Sequence, residues 1–199
     1  GDPYRCAWAA LGAGQQLGVP VVAVFHASVE ALAKQGLPRA SHALVRQYLR
    51  HLYRGFEAVF APSHWAADAL RELGLDNVVL QAHGVDCHLF HPRRHDAAWR
   101  LEVGCATSDI VLLYAGRFAP EKNLDRLAAA VDRLGAPYRL IAIGDGPRPP
   151  RGARLRVVPY QSDAAALARA LASADIFVHA GNQETFGLAA LEALACGTP

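Results

Sequence analysis

An α/β fold built on two doubly wound parallel sheets is predicted by three features of this 199-residue sequence. Short strand-like runs alternate with helix-like runs along the chain. The strand-like runs are continuously apolar and rich in β-branched residues, as in VPVVAVF at 19–25, which suits strands covered on both faces. The alternation breaks once, over 82–94, where Gly84 and Pro92 punctuate the chain. Four of the nine histidines (His83, His88, His91 and His95) fall in or beside that break.

The elements read in order as follows. A helix-like run opens just after Asp2-Pro3, and the strand 19–25 follows. Residues from Ser41 to Phe56 have a helical pattern, and 58–61 form a short strand. Ser63 is placed to cap a helix running to about Leu73, which Gly74 ends. A strand at 77–80 closes this series. After the break, DIVLLY at 109–114 is a strand, and 123–134 a helix with Leu124, Leu127, Val131 and Leu134 on one face. Residues 138–143 form a strand ending in the turn Gly144-Asp145-Gly146-Pro147, and a loop rich in Pro and Arg fills 146–154. Strand 154–158, helix 163–172, strand 175–179 and helix 188–195 complete the chain. The predicted organisation is a first domain over 1–84, a connection over 85–106 and a second domain over 107–199. Both ends read as cut: the chain enters a helix abruptly and stops on Cys196-Gly197-Thr198-Pro199, a helix-stop signal.

Composition narrows the function. With 52% hydrophobic and 19% charged residues the chain is an ordinary globular one. A net charge of +2 without a run of Lys or Arg argues against a nucleic-acid partner. No apolar run approaches the roughly 18 residues of a membrane span. The first five residues do not resemble a signal peptide. Cys6, Cys87, Cys105 and Cys196 form no C-x-x-C pair and read as reduced thiols, which places the protein in the cytoplasm.

Two constellations carry chemistry. Gly116-Arg117-Phe118-Ala119-Pro120-Glu121-Lys122-Asn123 lies between a strand and a helix, where open α/β sheets bind ligands. Arg117 and Lys122 put a planar fork donor and a point charge at one strand's carboxyl end, which a diphosphate leaving group requires. Alternatively both are solvated loop charges. Glu184-Thr185-Phe186-Gly187-Leu188-Ala189-Ala190-Leu191-Glu192 follows the strand ending at His179. Its two carboxylates stand roughly 12 Å apart if the rise is helical, which suits two parts of one extended ligand. The helix start at Gly187 and Leu188 offers free N–H groups to an anion, and Gly187 lets the backbone come close. The alternative is a surface Glu and a helix-start Glu facing the dipole.

In the order strand, G-R-x-x-x-E-K-N, helix, strand, G-D-G-P, strand, helix, strand, E-x(7)-E, helix, the sequence resembles the family-4 retaining glycosyltransferases. These have the GT-B fold, a pair of Rossmann-like domains. The resemblance is strongest in LLYAGRFAPEKNLDRL, IGDGP and LASADIFVHAGNQETFGLAALEALACGTP; Ala61-Pro62-Ser63 and Gly84-Val85-Asp86 also fit it.

The resemblance implies transfer of mannose or glucose from GDP-mannose or UDP-glucose to a glycan or lipid acceptor. Configuration would be retained, without a metal ion or other cofactor. Arg117 and Lys122 would hold the donor diphosphate. Glu184 would bind hydroxyls of the sugar, and Phe186, Gly187 and Leu188 would meet sugar and phosphate. Glu192 would bind the ribose, and Gly116, Gly144 and Gly146 would line the donor site. His26, in VAVFHAS, would face the sugar as a catalytic group, although a strand-end His is also a common structural residue. Metal independence agrees with the absence of a D-x-D motif, and the whole enzyme would be about twice this length.

Other readings stand beside this one. Arg46, Arg50 and Arg54, at i, i+4 spacing on the helix from Ser41 to Phe56, form either a solvated face or a surface for the inner face of the cell membrane. The histidines with Cys87 match no common zinc spacing. A nicotinamide oxidoreductase would need a G-x-G-x-x-G that the chain lacks. A non-catalytic nucleotide-sugar module or a sugar-nucleotide epimerase on the same fold is the functional alternative.

Overall fold

A computed structural model describes residues 5–26, 39–182 and 184–199. They form two compact units: the first takes in the described residues up to His83 with the short stretch 184–186, the second Gly84–Asn182 with Gly187–Pro199.

The first unit contains α1 (Arg5–Leu17), β1 (Val22–Val24), α2 (Arg39–Arg54), β2 (Ala58–Ala61), α3 (His64–Glu72) and β3 (Val78–Leu80). Its strands are parallel in the order β1-β2-β3. β1 is shorter than the apolar run 19–25 because Pro20 has no N–H to give a ladder, and Val19 N–H instead closes the end of α1 on Gly14 O at 3.0 Å. Leu49, Leu52 and Tyr53 of α2, with Phe56 just after it, are buried in one cluster with Val59, Ala66 and Leu70. The Asn77 amide fastens the C-terminal end of this helix by donating to Tyr53 O and Phe56 O.

The arginines of α2 have specific work. Arg46 donates to Glu72 O at 2.8 Å and Arg54 to Gly74 O at 3.2 Å. The Arg50 guanidinium lies over Gly74. The C-terminal turn of α3 leaves carbonyls without intrahelical partners, and cations are favoured there. The large apolar residues left exposed on α2, among those described, are Leu44 and Tyr48, the latter accepting from Trp8 Nε1 at 3.1 Å.

The second unit contains α4 (Ala97–Glu102), β4 (Ile110–Ala115), α5 (Leu124–Leu134), β5 (Tyr138–Gly144), β6 (Leu155–Pro159), α6 (Ala164–Ser173), β7 (Ile176–Phe177) and α7 (Leu188–Ala195). α4 falls inside the stretch read from sequence as connection. Asp96 caps it by accepting from Ala98 N–H, and Trp99 buries against Val111 and Leu171. The break therefore forms short local structures. Asp86 accepts from His88 N–H and Leu89 N–H, and His91 Nδ1 from Arg93 N–H as it caps the turn Pro92–Arg94. Arg169 on α6 then ties Asp96 to Glu102.

The four strands of this sheet are parallel in the order β6-β5-β4-β7. The chain winds outward from β4 through β5 to β6 and then returns to the other side of β4. The carboxyl ends of β4 and β7 thus flank the switch point, where ligands enter open α/β sheets. Both charged constellations follow those two strands. Among the described residues no helix is long and apolar enough to cross a membrane.

Candidate functional site

In the second unit a cavity of about 470 Å³ opens at the carboxyl ends of the strands. Ala115, Gly116 and Arg117 enter it from the end of β4, Ile143 and Asp145 from β5, Tyr160 and Gln161 from β6. Leu167 of α6 and Leu188, Ala189 and Glu192 of α7 close it.

The floor depends on two glycines. Gly116 N–H donates to Ile143 O at 3.0 Å and Phe118 N–H to Asp145 O at 2.7 Å, so the turns after β4 and β5 are stitched together. A Cβ on Gly144 would stand 1.9 Å from Gly116 O, and one on Gly146 2.3 Å from Phe118 O. G-D-G-P is therefore required for this close approach.

The G-R-x-x-x-E-K-N segment has a local logic of its own. The buried Tyr114 donates its hydroxyl to Arg117 O at 3.0 Å and fixes the turn. Arg117 reaches Glu121 through an ion pair at i, i+4, while its own side chain stays 66% exposed. Lys122 ends the short turn Pro120–Lys122, and Asn123 takes the left-handed conformation at φ 53 before α5 starts. Asn tolerates that region better than most residues, and its amide donates to Ala180 O at 3.0 Å, joining the loops after β4 and β7. Gly187 precedes α7 at φ 85.

Burial raises the Glu192 carboxyl above its usual range. A carboxyl whose pKa is higher folded than unfolded favours the fold at low pH and loses that contribution as pH rises from the ordinary glutamate value to the raised one. Glu192→Gln is therefore expected to leave Tm unchanged in acid and to raise it at neutral pH relative to the parent chain. Melting curves taken across that window check it; equal Tm values at neutral pH would contradict the burial cost.

Of the residues selected from sequence, Gly116, Arg117, Leu188 and Glu192 line this cavity. Lys122, Gly144, Gly146 and Gly187 belong to the same unit without lining it. His26, Glu184 and Phe186 fall in the first unit. There the Ser63 hydroxyl, which caps α3, donates to Thr185 O at 2.6 Å, and Thr185 Oγ1 donates to His26 O at 2.8 Å. Sequence reasoning passed over Tyr160, Gln161, Leu167 and Ala189. The first two were within reach, since they follow a parallel strand as the chosen motifs do. It also left His83 with the connecting histidines, whereas it stacks on His26. Among the described residues no group of three or more His, Cys, Asp or Glu side chains could hold a metal ion.

This architecture is that of the GT-B glycosyltransferases. HepE from Anabaena, solved in complex with UDP and glucose, superposes with a TM-score of 0.79 over 97% of this chain and 55% of its own, at 19% identity. Sucrose-phosphate synthase from Thermosynechococcus elongatus gives 0.78 over 97% and 52%, at 23% identity. The model for Glycosyltransferase Family 4 matches residues 2–104, and that for glycosyl transferases group 1 matches 109–199; the chain belongs to glycosyltransferase family 4. It is 36% identical to a GDP-mannose-dependent alpha-(1-6)-phosphatidylinositol dimannoside mannosyltransferase of Mycobacterium tuberculosis, over 94% of this chain and 51% of that protein. To a GDP-mannose-dependent alpha-mannosyltransferase of the same species it is 34% identical, over 100% and 52%. The chain thus spans about half the length of these curated relatives.

Proposed function

We propose that this chain carries the donor site of a hexosyltransferase that moves mannose from GDP-mannose to a glycan or lipid acceptor, with retention of configuration and without a metal ion. The observation that carries the reading is the cavity, which brings the Arg117 guanidinium and the half-buried Glu192 carboxylate to one largely apolar space. Such a space suits a nucleoside diphosphate, which needs an apolar slot for the base, an acceptor for ribose hydroxyls and cations for the phosphates.

In this scheme Glu192 accepts from the ribose hydroxyls. Arg117 and Lys122 bind the diphosphate and stabilise the charge that grows on it as the glycosidic bond breaks. Glu184 and His26 meet the transferred sugar, Phe186 packs against it, and Gly187 and Leu188 present backbone N–H groups. The departing phosphate oxygen takes the proton of the acceptor hydroxyl on the face it leaves, which gives retention. The mannosyltransferase names among the relatives favour GDP-mannose over UDP-glucose as the donor.

The reaction is assigned to the cytoplasm. A peripheral contact with the inner face of the membrane through α2 gains no support from its arginines, two of which donate to backbone carbonyls, Glu72 O at the end of α3 and Gly74 O just beyond it.

Titrating the chain with GDP, GDP-mannose, UDP and UDP-glucose, each with and without EDTA, tests the reading. Saturable binding of the guanosine pair, unchanged by chelation, is expected. Failure of folded chain to bind any of the four would overturn it, and loss of binding in EDTA would overturn the metal-free part.

A further inference from the structure

His83 lies three residues past the end of β3 and reads in the sequence as one of the connecting histidines, yet its imidazole is held from two sides. It stacks on His26 with ring centroids 5.3 Å apart and planes 12° off parallel. The Phe186 ring meets it edge-on at 5.1 Å and 86°. Offset stacks and edge-to-face contacts are the favoured geometries for such rings. The backbone on either side is fixed as well: Thr185 Oγ1 donates to His26 O, and Ser63 Oγ donates to Thr185 O.

We propose that His83 is a positioning residue, which holds the His26 imidazole in one plane against the transferred sugar. The proposal rests on the donor-site reading above, in which His26 meets that sugar.

A like charge at this separation disfavours the charged form of the His26 ring. In keeping with this, packing against its neighbours first, and then nearby positive charge of which His83 supplies the smaller part, lowers the His26 pKa from its ordinary value, although His26 remains largely open to water. The other titratable groups on the described segments that meet here are Glu184, beside Thr185, and His64, which follows Ser63. A neutral His26 can accept a hydrogen bond from a sugar hydroxyl at one ring nitrogen and donate at the other.

The test compares His83→Ala and His83→Phe with the parent chain by two readouts. The first is the NMR titration of the His26 ring, assigned with His26→Gln. His83→Ala is expected to shift the His26 ring-proton signals downfield, as the ring current is lost, and to move the titration midpoint upward. The second is calorimetric affinity for GDP-mannose beside GDP. His83→Ala is expected to weaken GDP-mannose about three- to tenfold, the worth of one aromatic pair, and to leave GDP unchanged. His83→Phe, which retains an aromatic face, is expected to restore GDP-mannose binding. An unmoved His26 signal in His83→Ala would overturn the proposal. So would equal losses for GDP and GDP-mannose, which mark general disruption and not a plane set for the sugar. The NMR arm needs no donor, so failure of the donor-site reading shows separately, as parent chain that binds neither compound.

Discussion

Arg117→Ala is expected to weaken GDP and GDP-mannose alike by about ten- to a hundredfold, because a hydrogen bond to a charged group contributes about 1.5–3 kcal/mol. The guanidinium lines the cavity, is 66% exposed at its side chain and already carries one ionic partner, Glu121. Whether that partner blocks the donor is a matter of magnitudes. An ion pair this open to water contributes about 0–1 kcal/mol. A diphosphate offers more charge and two or more oxygens in the geometry an Arg fork matches. On these magnitudes a diphosphate is expected to displace Glu121 from the guanidinium. Two controls follow from the same balance. Arg117→Lys, which keeps charge and loses the fork, falls between the parent and Arg117→Ala. Glu121→Gln leaves nucleotide affinity equal or tighter. Isothermal titration of the three variants reads this directly. Full affinity in Arg117→Ala would remove Arg117 from the diphosphate site.

Gly144→Ala is expected to be the most damaging single methyl in the second unit. Its Cβ would stand 1.9 Å from the Gly116 carbonyl oxygen at a backbone φ of 156. The obvious relief, separation of the two turns, breaks the hydrogen bond from Gly116 N–H to Ile143 O and opens the cavity floor. Overpacking without room to relax costs about 3 kcal/mol, which for a unit of this size lowers Tm by roughly 10 °C or more. Gly12→Ala is the matched comparison. Gly12 lies inside α1, its Cβ would meet nothing within 4 Å, and its φ is not positive. There the same methyl is expected to stabilise by about 0.5–1 kcal/mol, the difference between Gly and Ala in a helix interior. Thermal melts of the two variants decide the matter; a Gly144→Ala chain that melts with the parent would show that the turns part freely.

Much of this was legible in the sequence because it is local. The parallel strands announce themselves as unbroken apolar runs, and Ser63 as a helix cap does what its position suggests. The segment Arg117 to Asn123 is legible for the same reason: each of its residues answers to a strand end, a short turn or a helix start. The local pattern runs out where a distant partner decides. The 82–94 break and the residues after it looked like plain connection because α4 is only six residues long, too short for a periodic signal. It is held by Trp99 in the core and by Arg169 from a later helix. The arginines of α2 read as a solvated or membrane-facing surface, and the carbonyls that Arg46 and Arg54 meet, Glu72 O and Gly74 O, are invisible to that pattern because they lie 20 or more residues further on.

The sequence by itself thus determined the parallel α/β class, the order of the elements, the family and the charged segments at the ends of β4 and β7. Apolar periodicity, turn residues and motif spacing act over a few residues and can be read along the chain. Only the tertiary structure decided which of those residues share a cavity. Strand order brings Tyr160 and Gln161 beside Arg117 and Glu192, close approach explains why Gly144 and Gly146 are glycines, and His83 meets His26 across 57 residues of chain. Those contacts depend on sheet pairing and packing between distant segments, and no local pattern encodes them.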